Sequence, residues 1–212
     1  MKNIILYGAP AAGKGTQCEL LVERLGYKHI SIGQVLRDQR STETEIGRII
    51  IETQDKGVLT PDNIVAEALK AELAKYAGQP VVLDGYPRNI SQAHTLDTMF
   101  DNYVVMNIEV SEKTALERTL GRRSCPECGR IYNIYTSMRP KQENTCDDCG
   151  CELKGRSDDN EESFKVRFET YLSNMESVLN YYKKKDALYI IPSYESKEET
   201  YADIKKILDD QE

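Results

Sequence analysis

A lysine behind a glycine, in the run Gly8-Ala9-Pro10-Ala11-Ala12-Gly13-Lys14-Gly15-Thr16, is the first place where this sequence could do chemistry. Glycines let a backbone approach a bulky anion, and N–H groups left unpaired at a helix start can surround phosphate oxygens. Lys14 adds a full positive charge aimed at the outer phosphates. The run follows the apolar Asn3-Ile4-Ile5-Leu6-Tyr7 and precedes a helical pattern, which is the context a phosphate loop needs. The alternative is a plain glycine-rich turn between a strand and a helix, and the flanking elements favour the phosphate loop. The spacing Gly8-x4-Gly13-Lys14 fits, but Gly15 comes next and the hydroxyl arrives only at Thr16, which leaves metal ligation by that threonine open. A nucleotide enzyme is the expectation.

A second cluster points to a metal. Cys125-Pro126-Glu127-Cys128 and Cys146-Asp147-Asp148-Cys149 are two Cys-x2-Cys knuckles separated by 17 residues, inside the range of a tetrathiolate zinc site. Gly129 and Gly150 stand where each knuckle must turn. Two disulfides are the alternative, opposed by the absence of a secretory signal at residues 1–20. Iron also takes four thiolates, and Cys151 adds a nearby fifth sulfur, so the metal is inferred as Zn2+ rather than fixed. Four thiolates close the coordination shell, which makes the site structural. Cys18 reads as a small buried residue on the first helix. A zinc ribbon gripping nucleic acid is the rival function, but Asp147, Asp148, Asp158, Asp159, Glu161 and Glu162 surround the knuckles, and the net charge of −7 repels a polyanion. Any phosphate must therefore be met locally, and Arg37, Arg88, Arg118, Arg122, Arg123, Arg156 and Arg167 fall at or near motifs.

Elements must hold these groups in place. Four apolar, β-branched runs, Asn3–Tyr7, Pro80–Leu83, Tyr103–Val110 and Leu188–Ile191, with a weaker fifth at Lys28–Ile32, read as strands buried on both faces. Helical patterns at Thr16–Leu25, Asn63–Lys75 and Glu112–Leu120 alternate with them, and a last helix is expected from about Tyr201. The expectation is an α/β fold, a P-loop NTPase-like parallel sheet of about five strands with helices on both faces and two inserted mobile subdomains. The core covers about 1–32, 63–122 and 159–212, and the insertions about 33–62 and 123–158. Ligands should gather at the strands' carboxyl ends. The 40% hydrophobic content of 212 residues suits one cored domain, and no segment is apolar enough for a membrane span. A cytoplasmic protein is expected. Tyr181–Lys185 reads as a helix end with a solvated face, and His29 and His94 as isolated histidines at solvent or the core edge.

With these motifs in order, the sequence resembles the adenylate kinase family over nearly its whole length. Gly8–Thr16 is similar to that family's phosphate loop, Asp84-Gly85-Tyr86-Pro87-Arg88 with Gln92 to its second signature, and Gly121-Arg122-Arg123 to the opening of its lid. Arg156-Ser157-Asp158-Asp159, followed by Arg167, resembles the lid's close, and the cysteines match members with a long zinc-binding lid. The resemblance implies reversible transfer of a phosphoryl group from Mg-ATP to AMP, giving two ADP. It implies donor contacts from Gly8 through Thr16, with Lys14 on the phosphates, and from Arg118, Arg122 and Tyr132. Arg122, Arg156 and Arg167 would close on the transferring group, and Arg37 and Arg88 would hold the AMP phosphate. Gln92 would read the acceptor adenine, with Ile32, Val58, Leu59, Thr60 and Gly85 nearby; Asp84 would orient magnesium waters and Asp158 and Asp159 the lid arginines. Residues 33–62 would be the AMP flap, 123–158 the ATP lid, and the protein a monomer. Departures cluster at the acceptor: Ile32 and Gln34 stand where the family usually has Thr and Asp, and Thr60 replaces a usual Val. Ala11 replaces a usual Gly and Asn133 stands where His is common. A related kinase acting on UMP or CMP is the nearest alternative.

Overall fold

The computed structural model describes residues 1–40, 42, 44–55, 60–156 and 159–211, with only the backbone of 54 and 55. The five apolar runs pair into one parallel sheet, because a strand apolar on both sides must be covered on both. Its members are β1 (Asn3–Gly8), β2 (Lys28–Ser31), β3 (Val81–Asp84) and β4 (Tyr103–Glu109), together with the late strand β7 (Leu188–Pro192). Between them in sequence, β5 (Arg122–Ser124) and β6 (Ile131–Asn133) form a separate antiparallel ribbon. The sheet order is β2-β3-β1-β4-β7.

Strand pleating sends alternate residues of β1 to opposite faces. Ile5 and Tyr7 join one core with Leu83, Val105 and Tyr182, while Ile4 and Leu6 join another with Val82, Met106 and Leu21. Helices α1 (Lys14–Leu25) and α8 (Lys197–Asp209) cover the second face. The first is covered by α2 (Ile32–Arg40), α3 (Glu45–Asp55), α4 (Asp62–Ala74), α5 (Ile90–Asp97) and α7 (Glu161–Lys184). Helix α6 (Glu112–Leu120) packs beside α7 through Ala115, Phe164 and Phe168. This is the expected P-loop NTPase-like α/β arrangement. Residues 33–62 contribute most of α2 and all of α3, and residues 123–158 most of the ribbon.

The register sets the site. Leu6 lies opposite Asp84 on one side and Met106 on the other, so the loop after β1 emerges between the ends of β3 and β4, where the direction of winding reverses. Gly8 is required there: a Cβ would sit 2.8 Å from the Ile108 carbonyl oxygen and 2.9 Å from the Ala12 Cβ, at φ +151°.

Three expectations need correction. Helix α1 begins at Lys14, two residues before Thr16, because Gly13 makes the left-handed turn into it. The last helix begins at Lys197 rather than near Tyr201. Ser196 caps it by accepting from Glu198 N at 3.3 Å, and Arg24 pairs with Glu198 at 2.6 and 2.9 Å, so polar contacts extend it beyond its apolar stripe. The Tyr181–Lys185 end is no merely solvated face. Tyr182 is fully buried, and Tyr181, Tyr103 and Lys185 all donate to Asp97 at the end of α5. Burial pushes the Asp97 carboxyl up, but the hydrogen bonds from Lys185, Tyr103 and Tyr181 outweigh it and hold the pKa below its ordinary value.

Candidate functional site

A cleft of about 550 Å³ opens at the carboxyl ends of the strands, floored by residues 11–16. Gly13 enters α1 at φ 103° with no side chain capping the helix, so the first N–H groups of α1 keep their hydrogen-bonding capacity for a ligand. Ala11 is also left-handed, at φ 59°, a conformation open to glycine at less cost. Lys14 curls back over the loop and donates from Nζ to the Gly8 and Ala9 carbonyl oxygens at 2.7 and 3.0 Å. Burial pushes its ammonium below the usual value, and Asp84 pulls it the other way. Lys14 thus lies on the floor of the cleft with its Nζ held against the loop's own carbonyls.

Arginines surround this floor. Arg122 donates to both oxygens of Asp159, from Nε at 2.8 Å and from Nη2 more closely, and Arg167 Nη2 lies 3.6 Å from the same carboxylate. The Asp159 side chain is only 3% exposed. Arg122 and Arg156 line the cleft. Arg118 lines it too, donating to Ser193 Oγ at 2.6 Å and to the Tyr194 carbonyl at 2.9 Å. Ser193 Oγ in turn donates to the Ala12 carbonyl at 2.9 Å, which ties Arg118 to the phosphate loop.

Asp84 ends β3 beside the loop. His29 Nε2 stands 4.0 Å from Asp84 Oδ2, buried and without a hydrogen-bond partner among the described residues. Burial pushes that imidazole below its usual value, against the pull of Asp84. His29 was expected to be isolated; the β2–β3 register, with Ser31 opposite Asp84, brings the two together.

Arg37 also lines the cleft, and Gln34 Oε1 accepts from its Nη2 at 2.7 Å while Gln34 Nε2 donates to Asp38 at 2.6 Å. Arg88 donates from Nε to the Gly85 carbonyl at 2.9 Å; burial pushes its pKa down and Asp84 raises it. Ile32 is buried against Gly85, where an added Cβ would lie 3.3 Å from its methyl. Thr60 is buried, its hydroxyl 3.5 Å from that of Thr53, and Gln92 is buried at the start of α5. Val58, Leu59, Ser157 and Asp158 lie outside the described residues. Of the residues expected at the site, Gly8, Ala9, Pro10, Ile32, Thr60, Gly85, Arg88, Gln92 and Arg167 are not among those bordering the cleft.

The ribbon folds over the same opening. Thr16 Oγ1 lies 3.9 Å from Met138 Sδ, and Asn133 donates to the Arg118 carbonyl at 2.7 Å. The Tyr132 ring is buried, with its hydroxyl accepting from Asp147 N at 2.7 Å and 3.4 Å from Cys146 Sγ. The four sulfurs of Cys125, Cys128, Cys146 and Cys149 lie within 4.8 Å of one another, with close pairs at 3.3, 3.5 and 3.8 Å. Those separations far exceed a disulfide's length of about 2.05 Å and approach the roughly 3.8 Å edge of a tetrahedron with 2.3 Å Zn–S bonds. The Tyr132 hydroxyl holds the Cys146 thiol down to about 6, against burial and helped by backbone N–H groups. This donor set fits zinc.

The turn of residues 193–197 was missed from the sequence, although it follows the last strand and the rule that ligands collect at strand ends would have reached it. Asp62, which accepts from Gln92 Nε2 at 2.7 Å, left no local signal in the sequence. No described helix is long and apolar enough to cross a membrane.

Residues 6–187 match the sequence profile of the family described as Adenylate kinase. The chain is 41% identical over 214 residues to the adenylate kinase of Thermoanaerobacter sp. (strain X514), covering 98% of each. It is also 41% identical over 212 residues to that of Caldicellulosiruptor bescii, covering 97% of this chain and 98% of the relative. To that of Archaeoglobus fulgidus it is 37% identical over 213 residues, covering 98% of both.

Proposed function

The chain belongs to the adenylate kinase family, and we propose that it moves the terminal phosphoryl group of Mg-ATP to AMP, reversibly, giving two ADP. The observation that carries this reading is the convergence of Lys14, Arg118, Arg122, Arg156 and Asp84 with the open N–H groups of the phosphate loop on one cleft. In-line phosphoryl transfer asks for little covalent chemistry, so groups that align donor and acceptor and offset charge on the moving phosphoryl supply most of the catalysis.

In this reading Lys14 and residues 8–16 hold the donor phosphates. Arg118, fixed by Ser193 and Tyr194, offers its guanidinium plane to the donor adenine. Arg122 and Arg167, aimed by Asp159, close with Arg156 around the transferring group. Arg37 and Arg88 hold the acceptor phosphate, and Gln92 faces the acceptor base beside Ile32, Thr60 and Gly85. Asp84, at the end of β3 and on the cleft wall, would hold the waters of the Mg2+ that accompanies ATP, an ion that would supply positive charge to offset that of the phosphates. Residues 123–158 act as the ATP lid, shaped by structural zinc on Cys125, Cys128, Cys146 and Cys149, and residues 33–62 as the acceptor flap. Their closure keeps water from intercepting the phosphoryl group.

The test is ADP formation from Mg-ATP with AMP, UMP, CMP and GMP in parallel, beside a reaction without acceptor. Fast turnover with AMP supports the reading. Preference for UMP or CMP would transfer the protein to a sister specificity, and ATP hydrolysis without an acceptor would sink the transferase mechanism.

A further inference from the structure

Gln92 is 5% exposed, yet its side-chain amide is gripped at both ends by groups of opposite character. Nε2 donates to Asp62 Oδ1 at 2.7 Å, and Oε1 accepts from the backbone N–H of Arg88 at 2.7 Å. An ionised carboxylate only accepts and a backbone N–H only donates. Turning the amide over would press its oxygen against a carboxylate oxygen and its NH2 against an N–H, both at hydrogen-bonding distance. Asp62 is itself pinned, because Asn89 Nδ2 donates to its two oxygens at 3.1 and 3.2 Å. Asn89 in turn caps α5, its Oδ1 accepting from Gln92 N at 2.8 Å. The start of α4, the cap of α5 and the backbone of Arg88 thus fix one side chain in one direction.

We propose that Asp62, held by Asn89, is a positioning residue that locks the polarity of the Gln92 amide, and that this lock selects acceptor bases with an amino group beside a ring-nitrogen acceptor. The inference rests on Gln92 facing the acceptor base, as in the proposed function. Among the described residues, one N–H of Nε2 and one lone pair of Oε1 have no protein partner, and these two meet the base in a fixed order. Adenine answers them with N1 as acceptor and its 6-amino group as donor. Hypoxanthine and guanine present a ring N–H and a carbonyl, the reverse order. Cytosine shares the order of adenine, and uracil that of guanine, so the lock sorts acceptors by edge chemistry rather than by ring size. The Ile32 side chain, buried against Gly85, brings no polar atom of its own to that neighbourhood.

The experiment compares kcat/KM for AMP and IMP, which differ only at N1 and position 6, in the wild type, Asp62→Ala and Asn89→Asp. Asp62→Ala removes the acceptor that anchors Nε2. Asn89→Asp keeps an oxygen to cap α5 but sets a second carboxylate against Asp62. In both, the AMP/IMP ratio is expected to shrink about tenfold through KM for the acceptor, with KM for ATP unchanged, as a merely structural loss would not do. Thermal melts identify folded variants, and either one alone decides. A wild type that transfers nothing to AMP refutes the proposed function. A wild type active on AMP, with an unmoved ratio in a folded variant, refutes the lock alone.

Discussion

Asp159 is the carboxylate that holds Arg122 and stands beside Arg167, and replacing it with alanine separates the aim proposed for these arginines from mere presence of charge. Its side chain is 3% exposed and takes two nitrogens of Arg122, with Arg167 3.6 Å away. Breaking a fully buried pair costs about 3–5 kcal/mol. Here the Arg122 and Arg167 side chains are 19% and 33% exposed, so water can resolvate them, and about 2–3 kcal/mol is the appropriate figure. At about 2–4 °C per kcal/mol for a chain of this size, the melting temperature should fall by roughly 5–10 °C. The catalytic effect should be larger. A forked, charge-assisted pair fixes the guanidinium plane, and a misplaced cation forfeits stabilisation that only the transition state receives, so kcat should drop about 100-fold. Asp159→Asn, which keeps an acceptor but not the charge, should fall between the two. The assay is steady-state ADP formation at saturating ATP and AMP, well below the melting point of each variant. A variant that melts earlier but keeps its kcat would refute the reasoning, since Asp159 would then hold the fold and not the arginines.

Lys14→Met should lower kcat at least 1,000-fold in the same assay while shifting the melting temperature by only a few degrees, because burial already disfavours the ammonium; activity within tenfold of the wild type would remove Lys14 from the chemistry. Metal analysis should find one zinc per chain. Chelation should strip hydrogen-exchange protection from residues 124–154, whose small core of Cys125, Tyr132, Cys146 and Leu153 cannot hold alone, and spare the five-stranded sheet. Protein purified without chelator yet free of zinc would contradict the assignment. Asp97 has its folded pKa held below the ordinary 3.8, so its contribution to stability is complete above that value and lost as pH falls through the folded one. Asp97→Asn should therefore be less stable than the wild type near neutrality in urea titrations, with the gap closing below about pH 4; a gap independent of pH would mean that the charge of Asp97 does not matter.

The phosphate loop and the cysteine knuckles were legible because everything they need lies within a few residues. Gly8, Gly13 and Lys14 define one turn, and Cys125 with Cys128 defines another. The five strands were legible for a similar reason, since continuous apolar runs such as Ile4-Ile5-Leu6 have nowhere to go but a doubly covered sheet. Helix α8 was placed late because its apolar stripe alone was followed, whereas Ser196 and the Arg24–Glu198 pair set its start. The Arg118–Ser193 contact spans 75 positions, and no local pattern announces it.

What escaped local reading has a common form. Asp62 grips Gln92 from 30 positions away, Asp159 grips Arg122 from 37, and Asp97 is reached by Lys185 from 88. In each case the donor is conspicuous in the sequence and the carboxylate that orients it is not, because an acidic residue in an acidic chain carries no mark of what it will face. Only Asp159 was singled out beforehand, through family resemblance rather than from its own surroundings. The net charge of −7 was read as a bar to polyanions, yet the Asp159 side chain is buried and Asp62 and Asp97 are partly so, and the three accept from an arginine, an amide and a helix end. A desolvated carboxylate binds its donors more firmly than an exposed one, so a few of them set the geometry while the exposed majority set only the long-range field. Substituting exposed acids such as Glu127 or Asp209 should then leave acceptor choice untouched, whereas Asp62 should change it with a single side chain.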